Sequence, residues 1–144
     1  MIRFGLAHIG NEFGVAKEQW QAELHIQATF TVETEEGVLV SEPHWAVLEQ
    51  ALSLMAWSKL ATPTGPDYIY TSVDDEQPGL LTFTNIGPDR WVVGSAWQAF
   101  EGRSEYKTSE LVAASMQYVS EAIEASRPYM EPALHAQLCS SVCG

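Results

Sequence analysis

The sequence predicts an α+β protein built on a mainly antiparallel sheet, and three observations carry that prediction. Runs of period-two alternation recur along the chain, two longer stretches repeat their apolar residues at helical spacing, and only short turns separate most of the strand-like runs. Parallel neighbours need crossovers of a dozen or more residues, so short turns select antiparallel pairing. The predicted order is β-β-β-α-β-β-β-α, about six strands in one sheet with two helices packed on one face. A chain of 144 residues corresponds to a single domain, residues 1–144. A domain of that size buries roughly 70% of the surface its unfolded chain exposes, enough to fold without staples.

The first run, IRFGLAHI (2–9), alternates imperfectly and reads as an edge strand. In ELHIQATFTVET (23–34), Leu24, Ile26, Ala28, Phe30 and Val32 share one face, and His25, Gln27, Thr29, Thr31 and Glu33 the other. That is the pattern of a half-buried strand. The turn TEEG leads into VLVSEP (38–43), a hairpin in which Gly37 can supply the positive φ such loops require. SEPHWAVLEQALSLMAWSKLA (41–61) then changes period: Trp45, Leu48, Leu52 and Met55 recur at helical spacing, widened by Ala51, Leu54, Ala56 and Leu60. Ser41 or Glu42 ahead of Pro43 marks its expected start, since proline is tolerated in a first helical turn.

TPTGPD stops that helix and three strand-like runs follow: DYIYTSV (67–73), GLLTFTNI (79–86) and RWVVGSAWQAF (90–100). In the last, extended geometry puts Trp91, Val93, Ser95, Trp97 and Ala99 on one face and Val92, Gly94, Ala96, Gln98 and Phe100 on the other. Both faces are apolar, as expected of a central strand. If one is open, Trp97 is the type of residue that anchors an interface. The second helix, 108–126, begins with Thr108 as the expected N-cap and Glu110 near the positive end of the dipole, with a stripe of Leu111, Val112, Met116, Val119 and Ile123. RPYMEP ends it, and residues 128–144 form a carboxy-terminal extension expected to be a frayed tail.

Charge excludes some functions and favours others. Seven Lys plus Arg stand against nineteen Asp plus Glu, a formal net charge of -12. Phosphate backbones are bound by clustered cations this chain lacks, so nucleic acid is not an expected partner. A field of this sign speeds encounter with a basic protein instead. No stretch of about 18 apolar residues offers a membrane span, and the amino terminus does not resemble a signal peptide, so the expected compartment is the cytoplasm.

The residues that could carry chemistry do not assemble into a catalytic signature. Asp74, Asp75 and Glu76 are consecutive, and on a continuing strand Asp74 and Asp75 point to opposite faces, whereas a metal-dependent enzyme needs carboxylates converging on one cation. The triplet therefore reads as a solvated loop that discourages edge pairing, or as one that meets Lys or Arg on a partner. Glu33, Glu35 and Glu36 form a second acidic edge at the first hairpin. Ser95 lacks the Gly-x-Ser-x-Gly context of a nucleophile elbow. His8, His25, His44 and His135 are scattered. His135, Cys139 and Cys143, four apart, would share a helix face and could offer three metal ligands, but the fourth is missing, so reduced thiols are expected. No cofactor, metal or enzymatic activity is expected.

The succession SEPHWAVLEQALSLMAW, YIYTSVDDEQPGLLTF, RWVVGSAWQAFE and a closing amphipathic helix resembles a bacterial family of small uncharacterised domains similar to immunity proteins of polymorphic or contact-dependent toxin systems. The resemblance covers roughly residues 21–126. It implies a protein that neutralises a cognate toxin domain by binding it, with Asp74, Asp75, Glu76, Glu33, Glu35, Glu36 and Trp97 as the expected contact residues. A non-enzymatic binding or self-associating scaffold module is the alternative.

Overall fold

The computed structural model describes residues 2–11, 14–72 and 79–143. Strand β1 (Ile2–Asn11) is followed by helix α1 (Gln19–His25), strands β2 (Ile26–Thr34) and β3 (Gly37–Trp45), and helix α2 (Val47–Leu60). Strands β4 (Tyr68–Tyr70), β5 (Leu81–Gly87) and β6 (Arg90–Gly94) come next, then helix α3 (Thr108–Ser126), a 3-10 turn and helix α4 (Pro132–Cys143). The class is α+β and every strand pair among the described residues is antiparallel; short turns dictate this for β2–β3 and β5–β6, whereas helix α1 intervenes between β1 and β2.

The strands form two sheets of three, β1-β2-β3 and β4-β5-β6, instead of one sheet of six. The reason lies at the edges. On β3 the carbonyl of Leu39 accepts the amide of Ala99 (2.7 Å), and on β6 Trp91 exchanges both backbone bonds with Tyr106 (2.9 and 2.8 Å). The connector between Gly94 and α3 thus occupies one edge of each sheet, β3 of the first and β6 of the second.

Helix α2 packs against strands of both sheets. Its Trp57 meets Phe83 and Trp91 of the second sheet edge-to-face, with ring centroids 4.9 and 5.4 Å apart. Phe30 of β2 stacks on Trp45 at 4.7 Å and meets Tyr118 of α3 edge-on at 5.4 Å. Phe4 of β1 stacks on Phe83 at 5.7 Å, which makes the core continuous across the two sheets.

Among the described residues four α-helices are present where two were expected, and several boundaries move. Gln19–His25 is helical because Gln21 reaches back to accept the amides of Lys17 and Glu18 (3.0 and 3.2 Å), while Ala22 is buried. The strand predicted from Glu23 therefore starts at Ile26, although Ile26, Ala28, Phe30 and Val32 face the core as expected. Helix α2 starts at Val47, not near Ser41, because the β2–β3 ladder continues until Ala28 pairs with Trp45. Pro43 is accommodated there because β3 is an edge strand and Pro43 sits in a bulge. The buried face of α2 is Val47, Leu48, Gln50, Ala51, Leu54 and Trp57, while Leu60 is exposed.

The run 90–100 stops being a strand at Gly94. Ser95 Oγ accepts the amide of Trp97 (3.1 Å) and Gln98 Oε1 accepts that of Ser95 (3.0 Å), local bonds that compete with the ladder. β6 is accordingly an edge strand, and Trp97 lies on a turn. Lys107, not Thr108, occupies the N-cap position of α3. Glu110 lies in the first turn as expected and its Oε1 accepts the Lys107 amide at 3.0 Å, while a second carboxylate, Asp89, accepts the Thr108 amide through Oδ1 at 2.8 Å. Residues 132–143 form a helix in place of a frayed tail, with Leu134 and Leu138 buried.

Candidate functional site

The acidic hairpin that sequence assigned to a partner is partly committed to the fold. Glu36 Oε1 accepts the amides of Arg103 and Ser104 (both 2.9 Å) and the Ser104 hydroxyl (2.7 Å). One carboxylate thereby ties the β2–β3 turn, with Gly37 at φ 124°, to the connector that carries Trp97. These bonds, the Ser104 hydroxyl foremost, hold the Glu36 carboxyl below the usual carboxylate range. Hydrogen bonding, with Ser104 the largest contributor and the backbone among the others, lowers the Glu35 carboxyl to about 2. Glu33 is exposed and stands opposite Arg3 in the β1–β2 ladder. A depressed carboxyl stabilises the fold above the ordinary carboxylate pKa and loses that contribution as pH falls through its folded value. The melting temperature of Glu36→Gln is therefore expected to fall less steeply than that of the parent below about pH 4.5. Thermal scans across that range check it.

Trp97 is 39% exposed and stands edge-on to the buried Trp45, with ring centroids 6.2 Å apart. It forms one wall of a groove of about 220 Å³, with Glu42, His44, Tyr70, Ser72 and Leu80 among the others. Tyr70 is fixed by donating its hydroxyl to Glu49 Oε1 at 2.7 Å. Asp74, Asp75 and Glu76, between Ser72 and Leu80 in the chain, lie outside the described residues.

A second cleft, of about 460 Å³, shares Gln27, Pro43 and His44 with this groove. Its other lining includes His8, His25 and Thr29. Three histidines that look unrelated in sequence thus meet on the outer face of the first sheet. Two bulges bring them there: His8 and Ile9 oppose Ala28 alone, and Pro43 and His44 oppose Thr29 alone. Only the pairing register shows this, and no spacing in the sequence signals it.

A family model described as a domain of unknown function (DUF7878) matches residues 2–124, which takes in both sheets, both clefts and most of α3. The chain belongs to the DUF7878 family. No curated protein and no solved structure was found to match it. The DUF7878 match stops within α3, so α4 lies beyond it.

On α4, Cys139 Sγ stands 3.7 Å from both ring nitrogens of His135, and His135 Nε2 stands 3.7 Å from Glu124 Oε2 on α3. Cys139 is a free thiol. The side chain of Cys143, third in the metal-ligand reading, lies outside the described residues. Among the described residues of this DUF7878 chain no group of three or more His, Cys, Asp or Glu could hold a metal ion, and no helix is long and apolar enough to cross a membrane.

Proposed function

We propose that this DUF7878 chain is a protein-binding module of the immunity type, which neutralises a cognate bacterial toxin by stoichiometric binding and without chemistry of its own. Trp97 is the observation that carries the reading. It is a half-open indole on the wall of a groove, beside Glu42, on a chain of net charge -12. An indole backed by a second ring in the core supplies apolar contact at low entropic cost, and the acidic field supplies fast encounter with a basic toxin domain. Glu33, Asp74, Asp75 and Glu76 steer in this reading. Glu35 and Glu36, held by Ser104, support the groove's connector instead. The partner is a protein, with neither nucleic acid nor membrane involved, and the complex forms in the cytoplasm.

The test is co-expression with the toxin domain encoded next to this gene, scored by bacterial survival and co-purification. Trp97→Ala is expected to weaken the complex at least tenfold, or about 1.4 kcal/mol, mainly through faster dissociation. Reversing the charge of Asp74, Asp75 and Glu76 together is expected to slow association and flatten its salt dependence. Toxicity undiminished by co-expression sinks the proposal, and affinity unchanged in Trp97→Ala removes the groove from it.

A self-associating scaffold is the second reading. Ile69, 66% exposed on β4, and Ile86, 43% exposed on β5, favour it. Sedimentation separates the two: a dimer disrupted by Ile69→Glu supports the scaffold, and a monomer at high concentration removes it.

A further inference from the structure

The cleft lined by His8, His25 and His44 is built at a cost to the backbone. Among the described residues three that are not glycine have positive φ: Asp89 in a hairpin turn, and His8 (55°) and His44 (59°) in the two bulges. The left-handed region favours glycine, and holding a side chain there strains the backbone. Packing holds both bulges in place. The Tyr129 hydroxyl donates to the Ile9 carbonyl beside His8 (3.3 Å), and Trp45, next to His44, donates from Nε1 to the buried Gln50 (2.7 Å).

The lining has a one-sided chemistry. Among the described residues no carboxylate belongs to it, in a chain with nineteen Asp and Glu. Among the described residues the side chains of His8, Gln27, Thr29 and His44 make no hydrogen bond, and each carries at least one N–H or O–H donor; an imidazole does so in either protonation state. A bare cation would find no charged ligand here. An oxyanion would find up to four donors, two of them on strained residues whose backbone a glycine would adopt more easily. The volume suits a small molecule. The acidic remainder of the protein opposes such binding at long range, but that repulsion is screened beyond about 8 Å at physiological salt.

We propose that this cleft binds a small oxyanion, a carboxylate or a phosphate, through the side chains of His8, His44, Gln27 and Thr29. The cleft shares Gln27 and His44 with the Trp97 groove, but the proposal does not rest on the toxin-binding reading, and either can fail alone.

Proton NMR of the four imidazoles tests it, because His135 on α4 is an internal control far along the chain. Citrate and inorganic phosphate are titrated separately at constant ionic strength against a sodium chloride blank. The expected result is a saturable shift of the His8, His25 and His44 resonances with at least one probe, and none at His135. Saturation by citrate alone assigns the carboxylate, and by phosphate alone the phosphate. In the double variant His8→Gly, His44→Gly the apparent affinity read at His25 is expected to fall at least tenfold, while the melting temperature stays level or rises as strain is relieved. Linear, unsaturable shifts with both probes, equal shifts at His135, or parental affinity in the double variant would each overturn the proposal. The titration of the parent protein decides by itself if the variant does not fold.

Discussion

Replacing Trp91 with alanine is expected to destabilise the fold by about 3–5 kcal/mol, the range for truncating a large aromatic in a packed core. Trp91 is fully buried on β6. Its ring meets Trp57 of α2 edge-on, its Nε1 donates to Thr108 Oγ1 at 2.9 Å at the start of α3, and its backbone holds Tyr106. One residue therefore joins the second sheet, the central helix and the beginning of the next helix. Domains are stable by about 5–15 kcal/mol in total, so the loss takes a large share of the reserve and lowers Tm by roughly 10 °C. Urea denaturation followed by far-UV circular dichroism measures it. Trp91→Phe separates the contributions: it keeps ring packing but loses the bond to the Thr108 hydroxyl, and should lose only about 1–2 kcal/mol. A loss under 1 kcal/mol for the alanine variant would contradict the packing described here.

The second large effect is expected at Gln50, a fully buried amide on α2. Its Oε1 accepts from Trp45 Nε1 at 2.7 Å and from the Tyr118 hydroxyl at 3.0 Å, so one carbonyl links β3, α2 and α3. Gln50→Leu keeps the size and removes the acceptor. Trp45 Nε1 is then left without a partner and the Tyr118 hydroxyl keeps only a longer bond to the Val47 carbonyl at 3.5 Å, at about 1–3 kcal/mol each. The Gln50 Nε2 itself has no partner among the described residues, so its removal returns part of that cost. The expected net is about 2–4 kcal/mol, and Tyr118→Phe combined with Gln50→Leu should cost less than the sum of the two single changes. Burial already pushes the Tyr118 hydroxyl far up from its ordinary pKa, so it stays a neutral donor. A chemical-denaturation double-mutant cycle checks the coupling.

Local periodicity had reached much of this fold. Ile26, Ala28, Phe30 and Val32 face the core because strand alternation requires it, and Leu111, Val119 and Ile123 do so because helical spacing requires it. Where local reading failed, a longer-range bond had won. The β2–β3 ladder carried Pro43 and His44 away from helix α2, and the turn closed by Ser95 and Gln98 cut β6 short. The Glu36 carboxylate was legible as acidic, but its use as a tie to Arg103 and Ser104 was not, because 67 residues separate the partners.

The amino-acid sequence by itself determined the α+β class, the antiparallel pairing and the acidic surface, since each follows from alternation, turn length or composition. Only the tertiary structure decided that the strands divide into two sheets, that Trp97 stands on the wall of a groove, and that His8, His25 and His44 share a cleft. Those outcomes depend on which residues pair across long stretches of chain and on where two bulges shift the register, and neither is written in any local pattern.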